Sequence, residues 1–277
     1  MKVRFFATPV TESIAVFLLL VAICCSVASA TESNGQSRER MLHSDASDFK
    51  SATFHMLKAP FCMKRAALLP VACAFTTVFV SSLGDIPARH HTTRISSGWA
   101  FEVANVGHAF QSVPVLFGSM GGCYLLGALI GKPGLRRCGL ELMEAQLICG
   151  IGTQLTKNIV GRDRPYLNTG PTNFRGPSLQ NAHHSFFSGD ASVAFVQASV
   201  LSAELKSVPL AIVLYGLATS TAFQRLYADK HWLSDTVAAA IWGSAVGLGV
   251  VHLNRSSKLK GSSLGFSTNS IQFSYGF

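Results

Sequence analysis

The sequence predicts an all-α protein, a bundle of about six core helices, and three observations carry that expectation. From Phe61 onward the chain is a succession of long apolar segments punctuated by Gly, Pro or charge. There is little of the period-2 alternation that a half-buried strand requires. Only 13% of the 277 residues are charged while 48% are hydrophobic, against about 25% charged residues in ordinary soluble proteins. The helices therefore either sit in a bilayer or build an unusually apolar core, and membrane association is the expectation.

The segments of helical length are 66–83, 113–130, 139–156, 191–205, 208–223 and 236–251. Segments 113–130 and 208–223 carry no charge and approach the length needed to span a bilayer. Segment 139–156 contains Glu141 and Glu144, and 191–205 runs into Glu204-Leu205-Lys206, so neither reads as a plain lipid-facing span. Frequent Gly, Ala and Ser permit close helix packing, in lipid or in a tight soluble bundle. Lys132, Arg136 and Arg137 form a basic turn suited to the cytoplasmic side, which would put Lys157 outside. A cleaved leader followed by three spans would put Lys157 inside instead. The two agree if 66–83 does not cross the membrane, or if the whole domain is soluble and periplasmic.

Residues 1–30 read as a secretory signal: Lys2 and Arg4 at the start, an apolar stretch over 14–27, and Ala28-Ser29-Ala30 as a cleavage site. An uncleaved anchor helix is the alternative. A polar linker follows over 31–60, then the helical domain over 61–254 and a polar tail over 255–277, in which 271–275 alternates as a short strand would. Cys62, Cys73, Cys123, Cys138 and Cys149 follow the leader without CxxC spacing and read as buried small hydrophobes, supporting neither a disulfide framework nor a zinc site. The net charge of +9 favours anionic partners, phosphate esters or an acidic membrane surface. No run of Lys and Arg interleaves with aromatics, so nucleic acid is not an expected partner.

Three short stretches carry the chemistry. Lys157 closes one helix and Arg164-Pro165 follows on the adjoining loop, two fixed charges that can converge on an anion. Arg162 lies between them and either pairs with Asp163 or faces solvent. Ser188-Gly189-Asp190 opens an apolar helix: Ser is a good N-cap, Gly lets the backbone approach a ligand, and the free amides of a helix start favour an anion. Arg225, His231 and Asp235 form the third stretch. On a helix, His231 and Asp235 share a face, so the carboxylate can accept from one ring nitrogen and leave the other free to attack. His183, His184, Asp190, His231 and Asp235 could also be combined into a metal site, but three basic residues aimed at the same place disfavour a dication.

Together these stretches resemble the type 2 phosphatidic acid phosphatase (PAP2) family, which shares its fold with vanadium haloperoxidases. The family pattern is Lys-x6-Arg-Pro, Pro-Ser-Gly-His and Ser-Arg-x5-His-x3-Asp. The first is intact at Lys157, Arg164 and Pro165; the third is intact at Arg225, His231 and Asp235, with Gln224 for the leading Ser. The resemblance implies a PAP2-type helical bundle over roughly 61–251. It implies a phosphatase in which His231, oriented by Asp235, becomes a phosphohistidine, while Lys157, Arg164, Ser188, Gly189 and Arg225 bind the phosphoryl group. It implies no metal or other cofactor. Phosphate monoesters or lipid (di)phosphates are the expected substrates, and the expected location is extracytoplasmic, in a membrane with the site facing the periplasm or soluble within it. In the middle motif Phe187 replaces Pro and Asp190 replaces the His that serves the family as general acid. Either Asp190, His183 or His184 protonates the leaving group, or activity is much reduced or limited to substrates with good leaving groups. The alternatives are an inactive anion-binding protein of the same fold and a vanadate-dependent haloperoxidase.

Overall fold

The structure, a computed structural model, describes residues 53–54 and 68–261. The predicted signal at 1–30, nearly all of the linker at 31–60, Cys62 and the possible strand at 271–275 lie outside them. Within the described residues eight α-helices follow one another and no strand forms. They are α1 (Leu68–Ser82), α2 (Asp85–Arg94), α3 (Gly98–Phe110), α4 (Val113–Leu129), α5 (Pro133–Val160), α6 (Gly189–Leu205), α7 (Val208–Tyr227) and α8 (Leu233–Gly261).

All six predicted segments are helices, and the sequence reading lacked α2 and α3. The boundaries follow local chemistry. Pro lies in the first turn of α4, α5 and α7, where its missing N–H costs nothing. Helix α5 stops at Gly161, which takes the left-handed conformation at φ 57°. Ser188 caps α6, its hydroxyl accepting from the Ala191 amide. Helix α8 runs past the predicted domain boundary at Asn254.

Helix α6 is the centre of the bundle, packed by α5, α7 and α8, with α4 outside α5, α3 against α7 and α1 against α8. Its buried face is mostly Ala, Ser and Val, which brings the neighbouring helices close. Helices α3 and α7 also approach closely at Gly107, where an added Cβ would lie 2.2 Å from the Ser220 carbonyl oxygen of α7. That neighbour is backbone and cannot swing aside. Gly107→Ala is expected to destabilise the fold by about 1–3 kcal/mol, the usual cost of overpacking, read as a lower melting temperature.

Glu141 and Glu144 are buried. Glu144 accepts from Asn254 of α8 at 3.2 Å, and Glu141 lies 3.8 Å from Arg137. At the same end Glu204 of α6 receives Arg137 at 3.1 Å and Arg255 at 2.7 Å, tying α5, α6 and α8 together. Cys123, Cys138 and Cys149 are buried as expected, but Cys73 is exposed, because α1 buries none of its side chains in the bundle.

The Leu233–Ser256 stretch of α8 is long and apolar enough to cross a membrane. The pairs α1–α2 and α3–α4 qualify only when each, bent by 54° and 44°, counts as one span. Exposed apolar side chains line the outer faces of α4 (Val113, Phe117, Leu125, Leu129), with a gap at Gly121, and of α5 (Leu147, Ile151, Leu155, Ile159), where they recur every four residues.

Candidate active site

The predicted site residues converge at one end of the bundle, where α5 and α7 finish and α6 and α8 begin. Lys157, in the last turn of α5, places its ammonium nitrogen 3.0 Å from where a Cβ on Gly189 would be, so the glycine at the start of α6 is what lets the charge reach the helix N-terminus. Burial pushes this ammonium down to about 8; Asp190 opposes the shift and Arg164 and Arg225 reinforce it. Arg164 is anchored by Asn181 at 2.7 Å and Arg225 by Asp190 at 2.8 Å. Each of these two guanidinium groups keeps a buried Nε–H without a hydrogen-bond partner. Three cations are thus gathered around Ser188 and Gly189.

Asp190 is the counter-ion of this cluster. Its side chain remains 39% exposed while forming the Arg225 bridge. Desolvation works against its ionisation, but Arg225, His231 and Lys157 prevail and hold the carboxyl below its ordinary value. In the resting site it is a carboxylate.

His231 lies in the turn before α8 and is 3% exposed. Its Nδ1 donates to the Ser185 carbonyl at 2.7 Å. Because a carbonyl can only accept, the proton of the neutral ring belongs on Nδ1 and the lone pair on Nε2. Burial, chiefly, pushes the imidazole down to about 4, so it is neutral across the ordinary pH range. The helical-face expectation needs correcting here. Asp235 is 3.7 Å from Nδ1, outside hydrogen-bond distance, because its oxygens are taken by Arg162, by the Ser185 hydroxyl and by the Trp232 amide at 2.8 Å. It positions His231 through Ser185, which bonds Asp235 with its hydroxyl and His231 with its carbonyl.

The sequence offers Arg162 either Asp163 or solvent. It takes neither. It is 3% exposed and its guanidinium joins Asp235, Ser234 and Asp85, with Asp85 at 2.7 Å. Asp85, in the first turn of α2, also accepts from the Ser234 amide and hydroxyl, both at 2.8 Å, and so pins the start of α8. One turn along α2, Arg89 makes a two-pronged pair with Asp229, at 2.7 and 2.9 Å. Helix α2 therefore braces the turn that carries His231.

Asp163 organises the loop between α5 and α6, accepting from Thr169, Asn173, Arg175 and His183. His183 is further held by Gln180, and His184 bonds the Ser178 carbonyl at 2.8 Å. Both histidines thus brace the loop, which removes the observation that suggested them as leaving-group acids. Phe187, in the position of the motif's Pro, packs against Trp242 of α8. Among the described residues no group of three His, Cys, Asp or Glu side chains is arranged to hold a metal ion.

Residues 139–258 match the family model of the PAP2 superfamily. The chain carries a PAP2-superfamily domain. The match contains Lys157, Arg164, Ser188, Arg225, His231 and Asp235, whereas Asp85 and Arg89 lie before it. Among solved structures, the chain is similar to Aquifex aeolicus LpxE, at 19% identity over 61% of this chain and 94% of that one, with a TM-score of 0.44. It is also similar to the transmembrane PAP2 type phosphatidylglycerolphosphate phosphatase from Bacillus subtilis, at 13% identity over 90% and 96%, with a TM-score of 0.29. No curated protein matches the chain.

Proposed function

We propose that the chain is a PAP2-type phosphatase acting on phosphate monoesters or lipid (di)phosphates through a phosphohistidine at His231. The observation that carries this reading is the gathering of Lys157, Arg164 and Arg225 around the N-terminus of α6, with two buried guanidinium Nε–H groups unpartnered. Mutually repelling cations held together and left with unused donors suit a multiply charged anion.

In this reading the phosphoryl oxygens lie among Lys157, Arg164, Arg225 and the first amides of α6. The His231 Nε2 lone pair forms the N–P bond as the ester P–O bond breaks, and the electron pair leaves on the alcohol oxygen. Water then displaces the imidazole and releases inorganic phosphate. The residues named here supply binding, nucleophile and orientation, so no metal or other cofactor enters the scheme. A phosphoryl group that takes the donors of Arg225 leaves Asp190 without its partner, so the carboxyl then binds a proton more tightly. The outward apolar stripes of α4 and α5 and the membrane-length α8 favour a lipid phosphate at a membrane surface. The predicted leader favours an extracytoplasmic site.

The test is to trap the intermediate. Full-length protein in detergent, mixed with a radiolabelled phosphate ester and quenched in alkali, should retain acid-labile label that is absent from His231→Ala. Label retained in that variant would overturn the reading. A second measurement concerns the clamp. Lys157 is charged below about pH 8 and loses its charge as pH rises through that value. Orthovanadate affinity should therefore weaken by about tenfold or more on the alkaline side, the worth of one charge-assisted bond. Lys157→Met should remove that step.

A further inference from the structure

We infer that Arg89 of α2 is a positioning residue, one that keeps the phosphate clamp in line with His231. The inference rests on the phosphohistidine reading above and adds to it a part from outside the family match, which begins at residue 139.

Two short turns leave the clamp. One begins at Arg164: the Leu167 amide donates to the Arg164 carbonyl at 3.0 Å and the Asn168 amide to that of Pro165 at 2.9 Å. The other begins at Arg225, where α7 finishes. There the Lys230 amide donates to the Arg225 carbonyl at 3.1 Å and the Asp229 amide to that of Leu226 at 2.9 Å. Asn168 and Asp229 both adopt the left-handed conformation, at φ 58° and 57°, a backbone that Asn and Asp enter more readily than other side chains.

The side chains of these two residues meet at Arg89. Its Nε and Nη2 donate to the Asp229 carboxylate at 2.7 and 2.9 Å, and Nη2 also donates to Asn168 Oδ1 at 2.8 Å. A planar, rigid fork satisfies both partners in only one relative placement of the two turns. Asp229 is two residues before His231, so the same contact reaches the nucleophile. On the far side of His231, the Trp232 indole donates to the Asp163 carbonyl at 2.9 Å, and the Arg89 guanidinium lies 5.6 Å from its ring centroid.

Attack on phosphorus requires His231 Nε2 to stand opposite the leaving oxygen, and a displacement of about 1 Å costs on the order of 10² in rate. Arg164 and Arg225 keep their own anchors, Asn181 and Asp190, without help from Arg89. Arg89 instead fixes where His231 stands relative to them. Its loss therefore lowers kcat and leaves anion binding in place.

The experiment uses full-length protein in detergent, with p-nitrophenyl phosphate as substrate and orthovanadate as the binding probe. Arg89→Met should lower kcat by about 10–10²-fold and vanadate affinity by less than about threefold. The variant also strands the Asp229 carboxylate, so adding Asp229→Asn should recover part of the melting temperature while kcat stays low. Asn168→Gly keeps the left-handed backbone and deletes the acceptor on an exposed residue. It should lower kcat alone and add nothing to Arg89→Met, whereas Asn168→Asp, which still accepts from Arg89, should remain active. The inference is overturned if kcat recovers with the melting temperature in Arg89→Met/Asp229→Asn, if vanadate affinity falls as far as kcat, or if the Arg89 and Asn168 losses multiply. The Arg89 variants should still form acid-labile labelled enzyme, only more slowly. Label persisting in His231→Ala defeats the phosphohistidine reading instead, so the two failures are distinguishable.

Discussion

His231→Ala is expected to abolish phosphatase activity, by about four orders of magnitude or more, while orthovanadate still binds. The separation follows from the construction of the site. The anion clamp is built from the ends of α5 and α7, the adjoining loop and the start of α6, whereas His231 comes from the turn before α8 and is anchored through Ser185. Truncating the imidazole leaves the clamp's own anchors, Asn181 for Arg164 and Asp190 for Arg225, in place. Steady-state rates on an aryl phosphate, together with vanadate protection against thermal unfolding, check both halves. The aryl ester is the better substrate for this purpose because its rate does not depend on the leaving-group acid. Loss of vanadate binding along with activity would mean that His231 is part of the clamp.

Arg162→Met is expected to cost about 3–5 kcal/mol of stability, because it strands two buried carboxylates, Asp85 and Asp235, without their shared cation. For a domain of this size that corresponds to a fall of roughly 10 °C in melting temperature. Asp85→Asn in the same chain removes one of the stranded charges and should recover part of the loss, which a simple packing defect would not allow. Activity should fall more than stability explains, since Arg162 and Ser185 share Asp235 and Ser185 fixes His231. Thermal melts of the single and double variants, with kcat measured at low temperature where both remain folded, separate the two effects.

Much of the bundle is legible from the sequence because six of its helices are long apolar runs with clear breaks. Helix α2 is not, since Asp85-Ile86-Pro87-Ala88-Arg89 has no apolar face to read. Its stability comes from pairs with Arg162, Ser234 and Asp229, residues far along the chain that leave no local mark. Helix α3 was hidden because Glu102, Asn105 and His108 interrupt its apolar run. In the site, Lys157, Arg164, Arg225, His231 and Asp235 are legible because their spacing is itself the signal. The partner of each is not. Asp235 was expected on the His231 ring and instead serves Arg162 and Ser185, since the ring's donor is already satisfied by a carbonyl that sequence reasoning cannot place.

The Asp190–Arg225 bridge bears on how a catalytic cycle would end. A carboxylate tethered 2.8 Å from Arg225 acts as a competitor at high effective concentration. Inorganic phosphate left after hydrolysis would have to hold the guanidinium against it. Replacing the bridge reforms a contact already present at rest, so product inhibition should be weak. A site carrying its own anion would thus trade tightness toward phosphate for fast clearance.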